Sequence, residues 1–272
     1  MSVAIEGTTP HPEVNSLLEE LLASARAVLG SRFVGMILDG SLATGDFDED
    51  SDIDVVVVTD ADVSDCEFLA LQGMHDRIAA IDSWWATQLE VSYISQAALR
   101  RYDPAHALHP NIERDRGQRL KMLQHDEGWI FHRCILREHG IALAGPAPQT
   151  LIDPVSPDDL RRAALTMLNG WFAGLLDNPA QIAHRGWQSY VVLSLCRILY
   201  TLQHGTVASK SAAARWAQAT LDERWTSLIE RTWEGRHHPE WEASLDDVNG
   251  TLEFIRYALE RASFHGRHND AG

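Results

Sequence analysis

Apolar and polar positions change rhythm several times along the chain, and the changes mark its elements. Over residues 14–29, Leu17, Leu18, Leu21, Leu22 and Val28 recur at helical spacing, which predicts a first amphipathic helix. The run FVGMILDG at 33–40 is instead continuously apolar, with β-branched and aromatic residues, and reads as a buried strand ending on a glycine turn. A short helix is expected just after Gly40, then Gly45 and an acidic loop at 46–50. The run DIDVVVV is β-branched enough for a central strand. Residues 64–81 return to helical spacing through Phe68, Leu69, Leu71, Met74 and Ile78, and ATQLEVSYIS predicts a neighbouring strand. Residues 102–110, with Pro104 and Pro110, read as a loop, and 128–139 as a helix packed through Trp129, Ile130, Ile135 and Leu136.

Four of the ten prolines lie in 145–157, which marks a linker. Beyond it no strand pattern of comparable strength follows. Helices are predicted at 158–176, 186–204, 210–219, 223–233 and 244–262, the first with Asp158 and Asp159 where the helix dipole favours them. The expected fold class is α+β. A mixed sheet with helices occupies 1–147, and an all-α helical bundle occupies 148–272.

The chemistry gathers at 40–54, GSLATGDFDEDSDID. Gly40 lets the backbone approach an anion closely, and Ser41 with the free N–H groups of the following turn can donate to phosphate oxygens. Strand side chains alternate, so Asp52 and Asp54 share one face and Ile53 takes the other. Glu90, between apolar neighbours on the adjacent strand, supplies a third carboxylate. Such an oxygen-rich trio suits Mg²⁺ with phosphate oxygens and water. Asp-x-Asp before a strand is also a common turn element; its conjunction with Gly-Ser upstream and Glu90 downstream favours the metal site. In the helical half, Arg197 is a cation within an apolar helix. Lys210 opens the next helix, where the dipole favours negative charge, so an anion brought there resolves the conflict.

The pattern GS, three residues, G, five residues, SDID resembles the signature of the polymerase-β-type nucleotidyltransferase superfamily. More of the chain is similar to the aminoglycoside adenylyltransferases that modify streptomycin and spectinomycin. That likeness runs through REHGIALAGP, LIDPVSPDDL and VVLSLCRILYTLQHGTVASKSAAARWA. It implies ATP as co-substrate with Mg²⁺ on Asp52, Asp54 and Glu90, and Glu90 as the base that takes the acceptor's proton. It adds the signature's Ser51 to Gly40 and Ser41 as nucleotide contacts, and places Arg197 and Lys210 on the phosphates as the helical domain closes over nucleotide and acceptor.

Charge and composition agree with that class. The chain of 272 residues has 23 Lys plus Arg against 39 Asp plus Glu, a net charge of -16. Such a balance repels nucleic acid and favours a cationic acceptor such as an aminoglycoside. Cys66, Cys134 and Cys196 lack metal-ligand or disulfide-framework spacing, and neither a leader nor a membrane span is visible, so a cytoplasmic monomer is expected. His125, His132 and His139 recur every seven residues and are read as packing or surface groups rather than metal ligands. The stretch NPAQIAHRGWQSY lacks the acidic residues that contact drug in the streptomycin enzymes, and Trp129, Trp171 and Trp187 are open candidates for an aromatic wall. Two alternatives therefore stand beside the aminoglycoside enzyme: a nucleotidyltransferase for another small hydroxyl compound or a protein side chain, and a non-catalytic nucleotide-binding regulator.

Overall fold

The computed structural model describes residues 7–48, 51–114 and 118–269 and divides into two compact units, residues 1–154 and 155–272. Residues 1–6, and Glu49 and Asp50 of the acidic loop, lie outside the described residues.

The first unit begins with α1 (Pro12–Leu29), which buries Leu17, Leu18, Leu21 and Leu22 as its spacing predicts. Strand β1 (Phe33–Leu38) leads into α2 (Gly40–Thr44), and β2 (Ile53–Thr59) is followed by α3 (Asp65–Ala79) and β3 (Leu89–Ser95). Helix α3 starts on a capping box in which Ser64 and Glu67 bond reciprocally, and Glu67 also pairs with Arg32 at 2.7 Å. Then come α4 (Gln96–Arg100), β4 (Leu108–Ile112), β5 (Lys121–Gln124), α5 (Ile130–His139), β6 (Ile141–Ala144) and α6 (Pro148–Leu151).

The six strands form one sheet in the order β5-β4-β3-β2-β1-β6. Among the described residues only the pair β2–β3 is parallel, with α3 as its crossover, and the other pairs are antiparallel. Both faces are covered, which is why the central strands are mostly apolar on both sides, Asp54 and Glu90 near their starts excepted. On one face Val55, Val57, Val91 and Tyr93 pack with α1 and α3. On the other, Ile37, Val56, Val58 and Ile94 pack with Ala98, Leu99, Leu136, Leu151 and Ile152.

Three strands depart from the sequence expectation. Much of the predicted loop at 102–110 is a 3₁₀ turn, Pro104–His106, and the first residues of β4. Pro110 has no N–H to give, and β4 pairs with β3 only beyond it, at Asn111 and Ile112. Strands β5 and β6 are four residues each, too short to show a period. The units meet between Pro154 and Val155, one short helix later than the expected 147/148. Leu151 and Ile152 are buried in the first unit, and Arg137 Nη1 donates to Gln149 O at 2.7 Å.

The second unit contains α7 (Pro157–Met167), α8 (Arg185–His204), α9 (Lys210–Thr220), α10 (Thr226–Gly235) and α11 (Leu245–Asn269). Residues Leu168–Phe172 widen into one π turn, so the single helix predicted at 158–176 changes pitch within its length. Helix α8 packs against all four other helices and buries Val191, Val192, Leu195, Ile198, Leu199 and Leu202, the predicted core set. It stops at Gly205, whose φ of 69° is left-handed, and Ser209 caps α9 by accepting the Ala212 N–H at 3.2 Å.

Candidate active site

The register of the parallel pair builds the site. Asp54 on β2 lies directly beside Glu90 on β3, and Ile53 beside Leu89. Because direction alternates along each strand, Ile53 and Leu89 go into the α1/α3 core, while Asp54 and Glu90 face the other side together. Asp52, two residues before Asp54, turns the same way. One carboxylate oxygen from each of Asp52, Asp54 and Glu90 lies within 4.8 Å of the others, and all three residues are partly buried. Among the described residues this is the one group of carboxylate, imidazole and thiolate side chains spaced for a metal ion.

Gly40 closes the opposite wall. Its φ is 65°, and a Cβ there would fall 1.9 Å from Asp54 Oδ2, so both backbone conformation and space demand glycine. The Asp39 N–H donates to Asp54 O at 2.9 Å, tying the start of α2 to the first residues of β2. Ser41 follows, and its Oγ is buried with no hydrogen-bond partner among the described residues. A hydroxyl left in that condition is costly unless a ligand atom meets it. The oxygen donors, the glycine turn and this hydroxyl fit a hard divalent cation together with an anionic ligand.

The trio is electrostatically loaded. Burial, and then the neighbouring Asp52 charge, push the Glu90 carboxyl up to about 7, against the pull of the Arg114 guanidinium and backbone N–H. Arg114 follows β4, whose antiparallel pairing with β3 returns the chain to Glu90. Its Nη1 lies 4.0 Å from Asp52 Oδ2. Sequence reasoning missed this residue, because only the pairing of the unrecognised strand β4 brings it to the carboxylates.

Ser51 is placed otherwise than as a free ligand. Its Oγ donates to Asp48 Oδ1 at 2.9 Å and accepts the Asp48 N–H at 3.0 Å, closing the loop that delivers Asp52. The histidines at 125, 132 and 139 share no single helical face. His125 precedes α5 and is buried and stacked on Trp129, whereas His132 and His139 are exposed. In the second unit, partly buried Arg197 donates from Nε to Ala208 O at 3.0 Å, which fixes the connection leading to Ser209 and the exposed Lys210. The two predicted cations thus belong to one local structure.

Two family models match the chain. Residues 24–116 match the nucleotidyltransferase domain, which spans every site residue from Gly40 to Arg114, and residues 150–261 match the aminoglycoside adenylyltransferase C-terminal domain. The chain thus joins a nucleotidyltransferase domain to the C-terminal domain of the aminoglycoside adenylyltransferases. Among its relatives, the spectinomycin 9-adenylyltransferase of Staphylococcus aureus is 24% identical over 96% of this chain and 98% of that one. The aminoglycoside (3'')(9) adenylyltransferase of Escherichia coli is 33% identical over 44% of this chain and 43% of its own length. The fold matches that of the spectinomycin adenyltransferase AAD(9) of Enterococcus faecialis, solved with ATP and spectinomycin. Its TM-score is 0.70 at 16% identity, over 90% of this chain and 98% of that one. The family's two-part organisation, a mixed sheet with helices followed by a helical region, is the one observed here. No helix among the described residues is long and apolar enough to cross a membrane.

Proposed function

We infer that this chain is an adenylyltransferase that moves AMP from ATP to a hydroxyl of an aminoglycoside of the spectinomycin or streptomycin type. The observation that carries the reading is the convergence of Asp52, Asp54 and Glu90 within 4.8 Å beside the Gly40 turn, in a chain with both family domains. In the reaction a bond forms between the acceptor oxygen and the α-phosphorus. The bond from that phosphorus to the bridging oxygen breaks, pyrophosphate leaves, and the hydroxyl proton passes to Glu90. Glu90 is placed for that task by its register beside Asp54, on the face that carries the trio.

Asp52 and Asp54, with Glu90, would hold Mg²⁺, which offsets charge on the phosphates when bound. Gly40 approaches the phosphates through its backbone, and Ser41 donates its unpaired hydroxyl. Ser51 serves the nucleotide indirectly, by shaping the loop before Asp52. Arg197 and Lys210 are assigned to the nucleotide phosphates. Their support is the family likeness and the tether that holds the start of α9 to α8.

A second acceptor class is favoured by one feature. Residues 178–190, the approach to and first turn of α8, contain no Asp or Glu to meet a cationic drug. The deciding experiment is pyrophosphate release by purified protein with MgATP across a panel including spectinomycin, streptomycin and unrelated aminoglycosides. Stimulation by one of the first two is expected. Silence across the panel with MgATP binding retained overturns the drug assignment and leaves adenylyl transfer to another hydroxyl.

A further inference from the structure

Arg114 stands out because it touches the carboxylate trio twice, in two different ways. Its backbone N–H donates to the Glu90 carboxylate, and its guanidinium reaches Asp52 at 4.0 Å. The backbone bond needs no particular side chain, so the arginine itself requires another reason. Three carboxylates whose oxygens lie within 4.8 Å repel one another strongly unless a cation accompanies them. Here that cation comes from the chain. It lies on the Asp52 side, and both side chains are partly exposed, 41% for Arg114 and 27% for Asp52.

We propose that Arg114 is a positioning residue, the built-in counter-ion of the carboxylate trio, which occupies the Asp52 side of the site and yields that side to a divalent cation. The inference rests on the reading of the trio as a metal site. Its consequence is competition: guanidinium and metal contend for one carboxylate, so the protein alone holds the metal weakly. Arrival of the nucleotide's phosphates gives the displaced guanidinium an anionic partner, which ties firm metal binding to the presence of nucleotide. A lysine keeps the charge at this place, whereas alanine removes it and retains the backbone bond to Glu90.

The test is titration with Mn²⁺, followed by electron paramagnetic resonance of the free ion, for the unmodified protein, Arg114→Ala and Arg114→Lys without nucleotide. One unit charge at about 4 Å in a water-like surrounding corresponds to roughly fivefold in affinity, so Arg114→Ala is expected to bind Mn²⁺ about three- to tenfold more tightly. Arg114→Lys is expected to stay close to the unmodified protein. Circular dichroism checks that each variant is folded, and a merely structural role for Arg114 would lower affinity in the alanine variant rather than raise it. Equal or weaker Mn²⁺ binding by folded Arg114→Ala overturns the counter-ion role while the metal site stands. Absence of Mn²⁺ binding in all three proteins overturns the metal site and this inference together.

Discussion

Strands β2 and β3 carry a polar cluster beyond each end, and the two are built in opposite ways. At the end where both strands begin, Asp52, Asp54 and Glu90 converge, remain partly accessible and are attended by Arg114. Beyond the other end, Asp62 accepts from Ser95 Oγ at 2.7 Å and pairs with His106 Nδ1 at 2.8 Å, while His109, His125 and Arg133 are buried nearby. Burial drives His109 down to about 4 and His125 to about 3, and the two rings meet at a tilt of 50° with centroids 4.7 Å apart. Arg133 donates from Nε to Leu99 O and from Nη2 to Ala98 O, which fixes α5 to the end of α4, while its Nη1 is buried without a partner among the described residues. One cluster holds like charges close together with a single cation beside them, and the other pairs Asp62 with His106 near the surface and packs His109, His125 and Arg133 beneath that pair. Polar density alone therefore says little about chemistry; what distinguishes a site is convergent groups left reachable.

The sharpest way to break this contrast is at the open end. Asp54→Asn or Glu90→Gln is expected to lower turnover by about a thousandfold or more, the scale of losing several kcal/mol of charge stabilisation or the base. Thermal unfolding of the same variants should change little, because relieving repulsion within the trio offsets the lost contacts. Turnover within tenfold of the unmodified enzyme would remove the residue from the machinery.

At the packed end the expected effect is on stability alone, and it depends on pH. His109 and His125, with His75 on α3, which burial also lowers to about 4, bind protons more readily in the unfolded chain, whose histidines titrate near 6.5. Stability therefore rises with pH across the window between about 4 and 6.5 and is lost as pH falls through it. The slope is about 1.4 kcal/mol per pH unit for each such histidine. Urea midpoints at pH 7.5 and 5 should differ accordingly, and His125→Phe should flatten the dependence. An unchanged slope would mean that the imidazole is charged in the folded protein.

Gly40→Ala joins strain to site geometry. The left-handed backbone and the approach to Asp54 should together cost about 1–3 kcal/mol in chemical denaturation and also weaken MgATP binding. A variant that loses stability but binds MgATP normally would show that the turn supports the fold only. The smallest effect is expected from Lys210→Ala, an exposed single charge. Its nucleotide dissociation constant should rise by about three- to tenfold, since one surface charge contributes roughly 1 kcal/mol. No change by calorimetry would remove it from the phosphate contacts.

What was legible in the sequence follows from the same physics. Long periodic segments declared themselves: α1, α3, α8 and α9 lie within two residues or so of where spacing and caps put them. The trio was legible because alternation along β2 and an isolated glutamate between apolar neighbours on β3 are both local signals, and the register merely joined them. Strands β4, β5 and β6 were not. A proline interrupts the first, and the others are short edge strands whose pairing is determined by tertiary context. Arg114 was lost with β4. Ser51 enters the nucleotide set from its place in the signature, and its two bonds to Asp48, which only coordinates reveal, add a part in shaping the loop.

The strand order has a consequence for the chain as it leaves the ribosome. Strand β1 is completed by residue 38, but its outer neighbour β6 comes from residues 141–144, more than a hundred residues later. Until then one side of β1 presents an open backbone edge of apolar sequence, the kind of surface that recruits a second nascent chain. The parallel pair beside it also waits, since β3 cannot dock before its crossover helix has emerged. Synthesis of the first unit thus passes through a long interval in which its most hydrophobic strand is half-paired, and slowing elongation across residues 60–140 should raise the yield of aggregated product.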